Sequence, residues 1–334
     1  STRRPASPRS MALIGFSPSG PIAYAVRLSY LAFAQTQPPP KAQPMTAPVF
    51  VDGISDFADR YQGFLLDQWG VIHDGRRALP SALEVLSELK RRNKRLVVLS
   101  NSGRRADLNR HRLTQLGFNV AMFDAVVTSG EAAWHLLRHR NQPGFADLGT
   151  RCLLFTINGD QGVVEGLGLE LVEAPEQADF LFTTGLEIPP LTLDHYRAVL
   201  ERAAARQLPM VCSNPDRVAP SGGELVVAPG TVAAMYEAMG CRVLYVGKPH
   251  APIYGACLDA LEGLEPSEIV AVGDSLEHDI KGANGIGIAS CFLTGGIHAA
   301  EFMPGTQPEA GPRLERLCRK FDARPDWVAP QLVW

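Results

Sequence analysis

The sequence predicts an α/β protein, a doubly wound parallel sheet into which a smaller α/β unit is inserted. Three observations lead there. Short unbroken apolar runs, FLL at 64–66, LVVL at 96–99 and IVAV at 269–272, suit strands buried on both faces. Segments of helical period separate them, and a strand–helix–strand rhythm builds parallel sheets through crossovers. From Ser129 the texture changes for roughly 80 residues before the first rhythm resumes.

A chain of 334 residues exceeds one typical domain and can bury a large core. Its net charge is −3, unevenly distributed: residues 1–51 hold five Lys/Arg and no Asp or Glu. The rest carries 27 basic against 35 acidic side chains, a balance of −8 that lacks the basic face a nucleic-acid binder needs. The six cysteines, at 152, 212, 241, 257, 291 and 318, form no C-x-x-C pair and no zinc spacing. They read as small buried hydrophobes of a reducing compartment, and a cytoplasmic location is expected.

Residues 1–44, rich in Pro, Ser, Ala and Arg, form a leader expected to be disordered. Its apolar stretch 11–34 is broken by Pro18, Gly20, Pro21 and Arg27, so no membrane helix is expected. The favoured reading is upstream translation ahead of a start at Met45. A transit peptide, which would imply an organelle, and a cleavable signal ending near Ala32-Phe33-Ala34 are the alternatives.

The first strand, 64–66, delivers Asp67 to its carboxyl end, where open parallel sheets bind ligands. A carboxylate there needs a metal, a cation or an N–H donor. Ser81-Ala82-Leu83-Glu84 reads as a capping box, and Val85, Leu86 and Leu89 continue a helix to about Asn93. The second strand, 96–99, runs into Ser100-Asn101-Ser102-Gly103, and a helix follows with Gly117 as its C-cap. The inserted unit, 129–208, holds a capped helix over 131–140, strands at 153–157 and 180–183, and a helix over 193–206. Met210-Val211-Cys212 then runs into Ser213-Asn214-Pro215-Asp216, and the strand 243–246 into Gly247-Lys248-Pro249. Pro252 suits the first turn of a helix, 269–272 runs into Gly273-Asp274, and a last strand covers 290–294. The core is therefore expected over 45–128 and 209–320, with 321–334 as a C-terminal tail.

Four strands thus end in Asp67, Ser100, Lys248 and Asp274. Two strand-end carboxylates, one followed by Ser275-Leu276-Glu277-His278-Asp279, make a hard oxygen site suited to Mg²⁺. A lysine and a hydroxyl beside it complete a cradle for a phosphoryl group. Taken singly, each of these residues reads better as a helix cap or a turn; four in this order, each after an apolar strand, are hard to assign to chance.

With LLDQWGVIHDG, VVLSNSGRR, CSNPDRVAP, YVGKPHAPIY and VAVGDSLEHDIKGAN in this order, the chain resembles the haloacid dehalogenase superfamily, specifically its class IIA branch with a C2-type cap, over about residues 52–300. The resemblance implies a Rossmannoid core, with Asp67 as a nucleophile that forms an aspartyl-phosphate. It implies Mg²⁺ held by Asp67, Asp274 and the backbone carbonyl of Trp69, with Asp279 holding its waters. Ser100 would donate to a phosphoryl oxygen alongside N–H groups around Asn101 and Ser102, and Lys248 would balance charge and fix Asp67. Asn214 and Asp216 would either face phosphate or substrate, or stabilise the turn.

One position departs from that pattern. Phosphatases of the superfamily usually carry a second aspartate two residues after the nucleophile as general acid and base, worth about 10²–10⁴ in rate; here it is Trp69. His73 and Asp74 are candidates to replace it, although Asp74-Gly75 also reads as a turn. Trp69 itself would stack on a ring-bearing substrate, or pack under the cap while its carbonyl serves the metal; the second asks less and is expected. His250 and His278 flank the motifs as candidate substrate contacts, and His135 and His139 read as a solvated face. The function expected is a phosphomonoesterase of small phosphorylated metabolites. The alternative is a phospho-ligand binding or regulatory protein with little turnover. A lone aspartate would also suit carbon–halogen hydrolysis, but Asp274 and Asp279 would then have no use. Nicotinamide chemistry lacks its G-x-G-x-x-G. No nucleic-acid or membrane partner is expected, and a homodimer is compatible with the sequence.

Overall fold

The computed structural model describes residues 47–221, 224–302 and 310–334, so the leader lies outside the described residues. β1 (Val49–Phe50) precedes β2 (Gly63–Leu66), and α1 (Pro80–Arg91) leads to β3 (Arg95–Ser100); α2 (Ala106–Gln115) leads to β4 (Ala125–Thr128). α3 (Ser129–His139) carries the chain into a second set of strands: β5 (Arg151–Phe155), β6 (Glu170–Leu171), β7 (Phe180–Thr183), then α4 (Leu193–Ala204) and β8 (Met210–Cys212). An antiparallel hairpin of β9 (Val218–Ser221) and β10 (Glu224–Val227) follows, then α5 (Pro229–Ala238) and β11 (Val243–Tyr245). α6 (Ala251–Ala260), β12 (Ile269–Gly273), α7 (Lys281–Ile286), β13 (Ala289–Leu293), α8 (Ala299–Phe302), α9 (Ala310–Phe321) and β14 (Trp327–Ala329) complete the described chain.

The strands form two parallel sheets. The first has the order β1-β14-β13-β12-β2-β3-β4, and the second β11-β8-β7-β5-β6. Every residue of β2 is buried, as its unbroken apolar run predicts. Its alternation sends Phe64 and Leu66 into a cluster with Val85, Leu86 and Leu89 of α1, and Leu65 into a cluster with Ile253, Tyr254 and Cys257 of α6. Burying each such side chain contributes roughly 1.5–3 kcal/mol. Leu65's cluster also contains Phe180, Phe182 and Val211 of the second sheet, so apolar packing is continuous between the two units. Among the described residues no helix is long and apolar enough to cross a membrane.

Three expectations are corrected. Met210–Cys212 and Val243–Tyr245 belong to the second sheet, β8 pairing with β7 and β11 with β8, so the inserted unit runs on to β11 instead of ending at 208. Buried parallel strands look alike in sequence, and nothing local says which sheet a strand joins. The 321–334 segment is no mere tail: β14 lies between β1 and β13, with Trp327 Nε1 donating to Tyr61 Oη at 3.0 Å. The capping box at Ser81–Glu84 does not form, because α1 starts at Pro80 after Leu79, with no side-chain cap. Proline is favoured at the first helical position, where its fixed φ suits the helix and the missing N–H would have had no partner within it. Gly117 does follow α2 in the left-handed region, at φ +96°.

Candidate active site

Register brings the motifs together. Leu66 lies opposite Val272 on one side and Val98 on the other, so Asp67 leaves β2 between Gly273-Asp274 and the end of β3 at Ser100. The Asp67 N–H donates to Val272 O at 3.0 Å, extending the ladder to Asp67. Lys248 arrives differently, from beyond β11 of the second sheet. Asn101 clamps it: the Lys248 N–H donates to Asn101 Oδ1 at 2.6 Å, and Asn101 Nδ2 donates to Lys248 O at 3.2 Å.

The Lys248 ammonium then donates to Asp67 Oδ1 at 2.7 Å and Asp279 Oδ1 at 2.6 Å. Asp279 Oδ2 accepts the Ser275 N–H at 3.1 Å, so both its oxygens are engaged. Asp279 is held there by a single π-helical turn, Leu276–Ile280, in which the Ser275 hydroxyl accepts the His278 N–H at 3.2 Å. Asp274 Oδ2 accepts the Ile297 N–H at 2.8 Å. Two glycines close on that carboxylate: a Cβ on Gly70 would stand 2.2 Å from Asp274 Oδ2, and one on Gly296 2.0 Å.

Asp67, Asp274 and Asp279 each offer an oxygen within 4.8 Å of the other two, the only such His/Cys/Asp/Glu group among the described residues. Burial pushes the Asp67 carboxyl up, with Lys248 opposing and Asp279 adding to the rise. Asp274 is pushed well above the carboxylate range by burial and by the charges of Asp67 and Asp279. Burial alone would depress the Lys248 ammonium, but Asp279 and Asp67 more than offset it and hold it well above its ordinary value. Three carboxylates against one ammonium leave a pocket that calls for a further cation.

All ten sequence-predicted site residues line one cleft of about 770 Å³: Asp67, Trp69, Ser100, Asn101, Ser102, Asn214, Asp216, Lys248, Asp274 and Asp279. Their attachments differ from expectation in places. The Asn101 side chain is spent on Lys248 and on Asp216, to which Nδ2 donates at 2.7 Å, which leaves its backbone N–H for a ligand. Asn214 Oδ1 accepts the Asp216 N–H at 3.0 Å, a local turn contact. Ser100 Oγ accepts the Ser102 N–H at 3.2 Å. Trp69 is 44% exposed in the cleft, so it does not pack under the second sheet as expected.

Neither candidate acid is positioned as one. His73 is buried, its Nδ1 accepting the Gly75 N–H at 3.1 Å and its Nε2 facing Gln68 Oε1 at 3.4 Å, and burial lowers its pKa, so the ring is held neutral. Asp74 accepts the Arg76 and Arg77 N–H groups at 2.8 Å each, an Asx turn that lowers its pKa. His278 lines the cleft, with Nδ1 3.1 Å from Ser275 Oγ and Nε2 3.6 Å from Asp216 Oδ1. His250 instead stacks on Tyr245, ring centres 4.7 Å apart, and burial lowers it to about 4. His135 has Glu131 at 3.4 Å one turn earlier, a partner visible in the i, i+4 spacing, and lies parallel to His139. All six cysteines are buried and unbridged. Sequence reasoning missed Gly70, Gly296 and the Ile297 N–H around Asp274, together with Arg112 and Asn109 on the cleft wall. Only the strand-end position of Asp274 hinted at the first group.

A family model described as haloacid dehalogenase-like hydrolase matches residues 64–170, a second with that description matches 157–287, and a HAD-hydrolase-like model matches 245–333. The D-glycerol 3-phosphate phosphatase of Mycobacterium tuberculosis is 30% identical over 286 residues, 84% of this chain and 77% of that protein. The sugar-phosphatase AraL of Bacillus subtilis is 30% identical over 247 residues, 72% of this chain and 85% of its own. A haloacid dehalogenase-like hydrolase from Brucella suis superposes with a TM-score of 0.71 at 29% identity, covering 85% of this chain and 100% of that one.

Proposed function

The chain belongs to the haloacid dehalogenase-like hydrolases, in their class IIA branch, and is a phosphate-ester hydrolase; on that premise we propose a Mg²⁺-dependent phosphatase of small phosphorylated metabolites acting through an aspartyl-phosphate on Asp67. The observation that carries this reading is the Asp67 carboxylate at the end of β2, 2.7 Å from Lys248 and clustered with Asp274 and Asp279. The inserted unit acts as a cap, and the β9–β10 hairpin beside its sheet gives Val218 and Ala219 to the cleft wall.

The residues present suit the metal. The donors are all oxygen, the carboxyls of Asp67 and Asp274 are raised by burial and by the neighbouring carboxylates, and Gly70 and Gly296 leave just the room that Asp274 occupies. Asp67, Asp274 and the Trp69 carbonyl would hold Mg²⁺ directly and Asp279 through water; the ion would neutralise charge on the transferring phosphoryl group. Lys248 keeps one Asp67 oxygen engaged, which aims the other at phosphorus. As the new bond to Asp67 forms, the ester P–O bond breaks and its electron pair leaves with the alcohol oxygen. The Ser100 hydroxyl, held by the Ser102 N–H, and the backbone N–H of Asn101 stabilise the phosphoryl oxygens. Water then attacks phosphorus and frees Asp67.

The test is phosphate release from 4-nitrophenyl phosphate with and without Mg²⁺. Asp67→Asn abolishes the Mg²⁺-dependent rate if Asp67 is the nucleophile, and undiminished turnover would sink the mechanism. A second reading, phospho-ligand binding with little turnover, is favoured by one observation: neither His73 nor Asp74 is free to act as the acid. Turnover of any phosphate ester above the Asp67→Asn background removes it.

A further inference from the structure

The chain has four tryptophans, and three of them are used by the fold. Trp134 Nε1 donates to Glu165 O at 2.9 Å, and the Arg105 guanidinium lies 4.2 Å over its ring. Trp327 donates to Tyr61 and stacks on Phe57 at 5.0 Å. Trp334 lies under the Arg92 guanidinium at 4.7 Å. Trp69 is different: among the described residues no ring or cation stacks on it and no acceptor takes its indole N–H, although it is 44% exposed.

The indole is nevertheless seated. Gly75, at φ +81°, approaches so closely that a Cβ there would stand 3.0 Å from Nε1 and 3.3 Å from Cε2 and Cζ2 of Trp69. Only glycine allows both that backbone and that approach. The ring is thus supported on one side and open to the cleft, two residues from the nucleophile. Val218 and Ile297, the other large apolar residues that the cleft exposes, extend the same apolar character along its wall. An indole also offers no proton to a departing oxygen near neutral pH.

Resting on the phosphatase reading, we propose that Trp69 is the specificity-determining residue: its indole stacks on a ring-bearing leaving group, so aryl or heteroaryl phosphate monoesters are preferred over open-chain alkyl phosphates. Both features of the site ask for this class. A flat ring presents a π face to Trp69. An aryloxide also takes the electron pair of the breaking P–O bond with less need of protonation than an alkoxide, and collects its proton from water afterwards.

Non-hydrolysable probes separate stacking from leaving-group chemistry. Dissociation constants of benzylphosphonate and cyclohexylmethylphosphonate are measured by calorimetry with Mg²⁺ present, for the unsubstituted protein, Trp69→Phe and Trp69→Leu. The expected result is about tenfold tighter binding of the benzyl compound, kept largely by Trp69→Phe and erased by Trp69→Leu, with the cyclohexyl compound moving less than about twofold. Equal affinities in the unsubstituted protein, or a Trp69→Leu loss shared equally by both probes, overturns the proposal. Release of phosphate from 4-nitrophenyl phosphate is followed in parallel. Its absence overturns the phosphatase reading itself, whereas its presence without a ring preference overturns only the role of Trp69.

Discussion

Lys248→Met removes the one ammonium that holds the carboxylate cluster together. Its Nζ lies 2.7 Å from Asp67 Oδ1 and 2.6 Å from Asp279 Oδ1, with the lysine 3% exposed. At an effective dielectric constant near 20 the two attractions amount to roughly 12 kcal/mol gross. Desolvation of three ions offsets most of that, and breaking a buried pair typically costs roughly 3–5 kcal/mol because the surviving charge is left uncompensated. At about 2 °C per kcal/mol for a chain of this size, the melting temperature at pH 7.5 in chelator should fall by roughly 6–10 °C. Mg²⁺ should restore more of it in the variant than it adds to the parent, since the ion then faces a cluster lacking its own cation; saturation at 100 times Kd is worth about 2.7 kcal/mol. Thermal unfolding by circular dichroism, with and without Mg²⁺, reads both quantities. A fall below about 2 °C, or an equal Mg²⁺ response in the two proteins, would refute the counter-ion role.

Two further outcomes follow from the same geometry. Gly296→Ala places a Cβ 2.0 Å from Asp274 Oδ2 and so must displace that carboxylate; the Mg²⁺ concentration for half-maximal phosphate release should rise about tenfold or more, and an unchanged value would exclude Asp274 from the metal site. His250, lowered to about 4 by burial, stays neutral in the fold while the unfolded chain binds a proton near pH 6.5. Its contribution is therefore complete above pH 6.5 and is lost as pH falls towards 4, about 2 kcal/mol of it between pH 7 and 5. His250→Phe keeps the stack on Tyr245 and removes the titration, so denaturant melts should show the variant losing about 2 kcal/mol less than the parent over that interval; parallel losses would contradict the assignment.

The class of fold and the convergence of the strand-end residues were legible in the chain, because both are written in local terms. A buried parallel strand must be an unbroken apolar run, and the polar residue that ends it must lie at the ligand-binding edge of the sheet. That logic located Asp67, Ser100 and Asp274, and FLL, LVVL and IVAV fall in neighbouring strands β2, β3 and β12. Local terms also misled. Ser81 and Glu84 had the spacing of a capping box, yet Pro80 had already begun the helix.

What only the tertiary structure decided was which strand joined which sheet and which side chain met which. Met210–Cys212 and Val243–Tyr245 have the texture of core strands but pair within the second sheet. Lys248 therefore reaches Asp67 across a distance of 181 residues from the far side of the insertion, guided by Asn101. Trp69 could be named from the sequence as the anomalous residue two places after Asp67. Whether its ring lay buried or open depended on Gly75 beneath it and on the cleft above, contacts that no spacing along the chain encodes, because packing is set by what the folded surfaces bring together.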